Sequence, residues 1–299
     1  MWLLLAFISA LFLGSYEICK KLSVQNNAVI PVLLTSTLIS SLILCPLVLI
    51  SKFQPSWIEH SILYIPPIDI KTHLFIFLKS AIVLTSWIFA YFALKHLPLT
   101  LASPIKATQP IWTVLGAVII FKEQLNGYQA TGVGITLISF FMFSIAGKKD
   151  GISFRTNKWF WFIILATLTG AASGLYDKYL MRQFNLMAVL VYCSFYQTLL
   201  MAIITAILWW PTRKKTTPFQ FRGSIILISV FLIIADFLYF NALSMPDSMI
   251  SLISTIRRSG VIVPFLYGVF IMRDKNIKIK AFCLSGVILG MIFLFLGSQ

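Results

Sequence analysis

Apolar and polar positions along this chain fall into blocks rather than alternating with the short periods of a soluble fold. Predominantly apolar runs of roughly 18–24 residues, enough to cross about 30 Å of hydrocarbon at 1.5 Å per residue, follow one another from end to end. The pattern predicts ten transmembrane helices, at residues 2–19, 29–51, 72–94, 99–121, 125–146, 158–181, 187–210, 222–245, 248–271 and 278–297. Connections between them are short. The longest, 52–71, carries Pro55, Pro66 and Pro67 with Trp57 and Tyr64, and suits a loop lying at the membrane interface. The expected fold class is therefore all-α and integral to the membrane, with no room for a soluble domain.

Composition sharpens this reading. Hydrophobic residues make up 59% of the 299 positions and charged residues 11%, against about 25% charged in a soluble domain. Met1 is followed at once by an apolar run, without a basic stretch or an A-x-A cleavage site, so the first span is expected to stay in place. Cys19, Cys45, Cys193 and Cys283 lie in or at the ends of separate apolar blocks without C-x-x-C spacing, which favours buried thiols over a metal site.

The chain repeats itself. Gly14-Ser15-Tyr16-Glu17 in the first span matches Gly174-Leu175-Tyr176-Asp177 in the sixth. Tyr91-Phe92 and Pro98 stand to spans three and four as Tyr239-Phe240 and Pro246 stand to spans eight and nine. Phe121-Lys122-Glu123 matches Met272-Arg273-Asp274, and Gly134-Ile135-Thr136-Leu137 matches Gly286-Val287-Ile288-Leu289. The halves are 1–147 and 148–299. Each holds five spans, an odd number, so the second half enters the membrane from the opposite face. Two inverted five-helix repeats can rock about a central site and open it alternately to each side, which points to a transporter.

A net charge of +15 follows from topology rather than from a nucleic-acid partner. Lys20, Lys21, Lys95, Lys148, Lys149, Arg155, Lys158, Arg213, Lys214, Lys215, Arg222, Arg273, Lys275, Lys278 and Lys280 follow odd-numbered spans. Only Lys52, Lys71, Lys122 and Arg182 follow even-numbered ones. This bias puts both termini outside the cytoplasm, in what is expected to be a bacterial inner (cytoplasmic) membrane.

The paired five-span halves, the tight Pro98 and Pro246 hairpins, and Glu123 and Asp274 ahead of Gly-containing final spans resemble the EamA-type ten-helix transporters of the drug/metabolite transporter superfamily. The resemblance covers almost the whole chain. It implies a central cavity lined by spans 3, 4, 8 and 9 with help from 1 and 6, and a solute that is an amino acid, a metabolite or a nucleotide-linked sugar. Characterised relatives usually place both termini in the cytoplasm, opposite to the orientation that the basic loops give here.

Ionisable side chains within a span are expected to pair, face the protein interior or line water, because exposure to lipid costs at least about 2.5–3.5 kcal/mol at a helix centre. Arg257 and Arg258 lie about ten residues into their span, roughly 15 Å deep, and point about 100° apart. Asp236 is the expected partner of one of them. Two readings stand: an Arg–Asp pair that only holds spans 8 and 9 together, or a free guanidinium that binds a carboxylate or phosphate together with Lys106. The surplus of cations favours an anionic or zwitterionic substrate. Pro104 and Pro110 are expected to bend span 4 near Lys106. Lys79, a third of the way into span 3, is expected to snorkel. Trp87, Tyr91, Trp112, Tyr239 and Asn241 are candidates to stack on or hydrogen-bond a solute. Glu17 and Asp177, each beside a tyrosine able to donate a hydrogen bond to a carboxylate (Tyr16, Tyr176), are read either as gates near opposite mouths or as interfacial carboxylates paired with Lys20, Lys21 and Lys178.

Other classes fit less well. His60, His73 and His96 begin no metalloenzyme pattern, and no G-x-S-x-G elbow, phosphate loop or metal cluster occurs. The expectation is thus no enzyme, no cofactor and no metal, with a proton, sodium or counter-substrate gradient as driving force. A scaffold would not require buried charges in both halves, whereas a lipid-headgroup flippase of the same architecture remains the alternative. Gly170-x-x-x-Gly174 and Gly286-x-x-x-Gly290 allow close helix contact, compatible with a monomer or a homodimer.

Overall fold

The computed structural model describes residues 2–113, 115, 126–149, 157–245 and 250–297. Lys122, Glu123, Arg155 and Pro246 lie outside the described residues, as do the side chains of Lys148, Lys149 and Lys178. Among the described residues all regular structure is helical. The order is α1 (Trp2–Val24), α2 (Val29–Phe53), a 3-10 turn (Pro55–Trp57), α3 (Ile70–His96), α4 (Leu99–Ala107), α5 (Gly127–Lys149) and α6 (Lys158–Gln183). It continues with α7 (Leu186–Ile204), a π-helical turn (Thr205–Trp209), α8 (Gly223–Ser244), α9 (Ile250–Ser259), α10 (Ile262–Phe270) and α11 (Ile277–Leu296). Seven described segments are long and apolar enough to cross a membrane: α1, α2, α3, α6, α7 with its π turn, α8 and α11. The chain is an integral multi-pass membrane protein.

Helix starts follow ordinary capping chemistry. Asp69 accepts from the Thr72 amide at 3.1 Å at the start of α3, and Asn157 and Asn185 cap α6 and α7 in the same way. Hydrogen bonds from Thr72 hold the exposed Asp69 carboxyl below its usual range.

In cross-section the bundle is inverted relative to a soluble protein. On α1, Leu3, Leu4, Phe7 and Leu11 are exposed, while Ala6, Ser9, Ala10, Gly14, Glu17 and Lys20 are buried. Lipid is as apolar as leucine, so helices associate through close packing of small residues and through polar contacts. Hydroxyls supply several of these: Ser9 donates to the Ala235 carbonyl, Ser86 to that of Ala166, and Ser229 to that of Ser36, each at 2.7 Å. The main pairings are α1 with α8, α3 with α6, α2 with α7 and α5 with α11.

The ninth expected span is not one helix. It breaks at Gly260–Val261 into α9 and α10. Pro264 has no N–H to give the Gly260 carbonyl, which is taken instead by Val263 N at 3.1 Å in a tighter turn. The fourth span breaks in the same manner: Pro110 cannot donate to the Lys106 carbonyl, and a turn at Thr108 ends α4. The break in α9–α10 sits directly on α1, where a Cβ on Gly260 would drive into the Ala10 carbonyl oxygen and one on Gly14 would lie 2.6 Å from the Gly260 oxygen.

Three lysines counted with the basic loops are not in loops. Lys20 and Lys280 are fully buried, and Lys21 nearly so, donating to the Leu94 and Leu97 carbonyls at the end of α3, both at 2.7 Å. Setting these three aside leaves twelve basic residues after odd spans against four after even ones, so the bias persists.

Gly260→Ala is expected to lower unfolding stability by about 1–3 kcal/mol, as overpacking against rigid backbone does. Thermal unfolding in detergent, with Gly134→Ala as a control whose added methyl meets nothing within 4 Å, checks it.

Candidate functional site

The two helix breaks face one cleft, lined by Leu13, Gly14 and Glu17 of α1, Ser103, Lys106 and Ala107 of α4, and Arg257, Arg258, Gly260, Val261 and Pro264 of the α9–α10 segment. Each broken helix delivers cations in its last turn, Lys106 in α4 and the two arginines in α9. A helix C-terminus carries roughly −0.5 of an elementary charge, so these side chains offset the partial charge that each break leaves inside the membrane.

Glu17 is the hub. Its Oε1 accepts from Lys106 Nζ at 2.5 Å and from Lys20 Nζ at 2.9 Å. Lys20 in turn lies over the rings of Tyr16 (4.6 Å) and Tyr91 (5.1 Å), whose electron-rich faces help to hold a desolvated ammonium. Arg257 is paired with Asp236 of α8 and stacks over the Tyr239 ring at 4.1 Å. No described carboxylate lies within ion-pair distance of Arg258. A second pair, Lys79 with Asp177 at 2.5 Å, joins α3 to α6, with Lys79 also donating to Ser173 Oγ at 2.5 Å. In this inner group five cations (Lys20, Lys79, Lys106, Arg257, Arg258) face three carboxylates (Glu17, Asp177, Asp236), an excess of two positive charges.

The structure thus brings Arg257, Arg258, Lys106 and Glu17 to one cleft, with Asp236 and Tyr239 behind Arg257 and Tyr91 behind Lys20. Several expectations need correction. Lys79 does not snorkel; it is 4% exposed, because Asp177 supplies a partner at its own depth. Glu17 is not an interfacial carboxylate with surface partners, since Lys20 is buried with it. The expected tyrosine–carboxylate hydrogen bonds are not made: Tyr16 contributes its ring to Lys20, and Tyr176 donates to the Phe75 carbonyl at 3.3 Å. Trp87, Trp112 and Asn241 do not line the cleft. Trp87 packs in the apolar core, and Trp112 Nε1 donates to Thr108 Oγ1 at 3.3 Å.

Sequence reasoning missed Ser103 and read Lys20 only as an interfacial partner of Glu17. Both were signalled by helical spacing, Lys20 three residues after Glu17 and Ser103 three before Lys106, which places each pair on one face. It also missed the break at Gly260, for which Pro264 was the sign, a proline inside span 9 as Pro110 is inside span 4.

Breaking the Lys79–Asp177 pair with Lys79→Met is expected to destabilise the protein by about 3–5 kcal/mol, because it strands a buried carboxylate. Adding Asp177→Leu should recover most of the loss. Thermal unfolding of the single and double variants checks both steps.

Comparisons with known proteins agree with this architecture. The family model for EamA-like transporters matches residues 1–145. No curated protein matches the chain. A solved crystal structure of a protein aligns over 99% of this chain and 96% of its own, with a TM-score of 0.64 at 14% identity. At that identity the likeness establishes the shared fold.

Proposed function

We propose, on the match of residues 1–145 to the EamA-like transporter family, that the chain is a transporter of the drug/metabolite transporter superfamily and carries a small anionic or zwitterionic metabolite across the membrane by alternating access. The observation that carries this reading is Arg258. It is a guanidinium in a membrane-embedded cleft that Lys106 also lines, with no described carboxylate in ion-pair range. Burying a charge without a partner is costly, so an unneutralised cation at a cleft is best accounted for by a ligand that completes it. A guanidinium fits a carboxylate or phosphate through two parallel N–H donors.

The proposed architecture is ten spans in two inverted halves, 1–147 and 148–299. Helix pairing supports it. Exchanging the halves turns the contact of the first span with the eighth (α1–α8) into that of the sixth with the third (α6–α3). The second–seventh (α2–α7) and fifth–tenth (α5–α11) contacts map onto themselves. The breaks beside Pro110 and Pro264 fall in the fourth and ninth spans, which also correspond. Two such units can tilt about the cleft and expose it to one side at a time. Glu17 would then act as an inner gate, releasing Lys106 when substrate arrives, and Asp177 as its counterpart on the other half. The remaining basic-loop bias supports termini outside the cytoplasm of a bacterial inner membrane, with a proton, sodium ion or counter-substrate as driving partner.

The two arginines are expected to separate stability from transport. Arg258→Ala should leave thermal stability near that of the parent and abolish saturable counterflow of the substrate in proteoliposomes. Arg257→Ala should strand Asp236 and destabilise the fold by about 3–5 kcal/mol. Normal counterflow in a well-folded Arg258→Ala protein would remove the proposed site. For orientation, a C-terminal reporter active only in the cytoplasm should be silent.

A further inference from the structure

Most buried serine and threonine hydroxyls in this bundle bond a partner, either across to another helix, as Ser9, Ser86 and Ser229 do, or within their own helix. Ser80 donates to the Ile76 carbonyl, Thr136 to Gly132, Ser139 to Ile135 and Thr167 to Ile163, all at 2.7–2.9 Å. Such a bond spares the hydroxyl from being unpaired in a medium without water. Ser103 departs from this. It is 5% exposed, lines the cleft, and its Oγ has no hydrogen-bond partner. Two more atoms of cleft-lining side chains share that condition: Glu17 Oε2 and Arg257 Nε. Glu17 meets both of its lysines through Oε1, so its second oxygen stays an unused acceptor.

The three atoms differ in what they ask of a ligand. Arg257 Nε is a donor only, and so is the guanidinium of Arg258, so both call for an acceptor. Glu17 Oε2 is an acceptor only and calls for a donor. Ser103 can serve either, and its spacing of three residues from Lys106 places both on the face of α4 that lines the cleft. A plain monoanion satisfies the arginines and leaves Glu17 Oε2 bare. Sites built around a buried polar atom reject ligands that fail to pair it far more strongly than they reject a change of apolar size.

We infer that the cleft selects an anion that also carries a hydrogen-bond donor, an ammonium or hydroxyl close to its carboxylate or phosphate, with Ser103 and the free oxygen of Glu17 reading that donor. The inference rests on the transporter reading for the site but makes a narrower demand on the ligand.

The test is equilibrium binding to the purified protein in detergent, using two matched sets of probes: propionate, lactate and alanine, and propyl phosphate, glycerol 3-phosphate and phosphoethanolamine. In at least one set the donor-bearing members should bind tenfold or more tighter than the donor-free one. Ser103→Ala should shrink that ratio several-fold. It should also leave the melting temperature of the ligand-free protein unchanged or raised, because it removes an unpaired buried hydroxyl. A serine with a merely structural role would lower the melting temperature and leave the ratio alone. Equal binding within both sets, or no binding in either, overturns the inference. Counterflow in proteoliposomes, run separately on a broad panel of metabolites, judges the transporter reading. A carrier that ignores the donor, and a donor-selective binder that moves nothing, are therefore told apart.

Discussion

A carboxylate placed inside a hydrocarbon layer has to be neutralised where it stands, and the contacts of Glu17 follow from that constraint. Held by Lys106 across from α4 and by Lys20 on its own helix, it ties the first span to the fourth. The same two lysines are held on that carboxylate, beside the cleft. Water would weaken these attractions; a bundle closed to lipid and largely closed to solvent does not. The Lys79–Asp177 and Arg257–Asp236 pairs repeat the arrangement between other helices. Charges that would be a liability on any lipid-facing surface become the specific contacts that distinguish one helix pairing from another. An apolar interface of leucines cannot do this, because lipid competes with it on equal terms.

The broken helices follow from the same constraint. A proline in the fourth span and another in the ninth each deprive one carbonyl of its partner, and each break leaves a helix C-terminus within the bundle. Lysine or arginine in the last turn answers the partial negative charge there. This explains why the cationic residues sit one or two turns before Pro110 and Pro264 rather than elsewhere in their spans. The cost of an irregular backbone is tolerated only where the freed groups face a polar cleft, so break, cations and cleft occur together. Pairing then consumes part of the positive charge: Glu17 and Asp236 take Lys20, Lys106 and Arg257, and Arg258 is left without a carboxylate in ion-pair range among the described residues.

Small residues set how closely the elements approach. Gly14 and Gly260 let α1 lie on the break itself, and Gly290 lets α11 meet α5 at Thr136. The glycine repeat in the tenth span thus serves contact within the chain. The Gly170–Gly174 pair does the same on α6, where the Gln109 side chain fills the space beside it and donates to the Gly170 carbonyl at 2.7 Å.

The sequence by itself determined that the chain is a helical membrane protein, because block length and hydropathy depend on a residue's own side chain and its near neighbours. It also marked the deep charges, since an ionisable residue in an apolar run is conspicuous without any fold. What it did not determine was partnership. Lys20 read as a loop lysine until α3 and α4 closed over it, Lys79 as a snorkelling one until α6 brought Asp177 to its level, and Tyr16 as a hydrogen-bond donor until its ring proved to face an ammonium. Ser103 was invisible among many serines. Its hydroxyl became notable only when the packed bundle gave the others partners and gave this one a cleft. Partnership is a matter of distances between residues far apart in the chain, and only the packing of the helices fixes those.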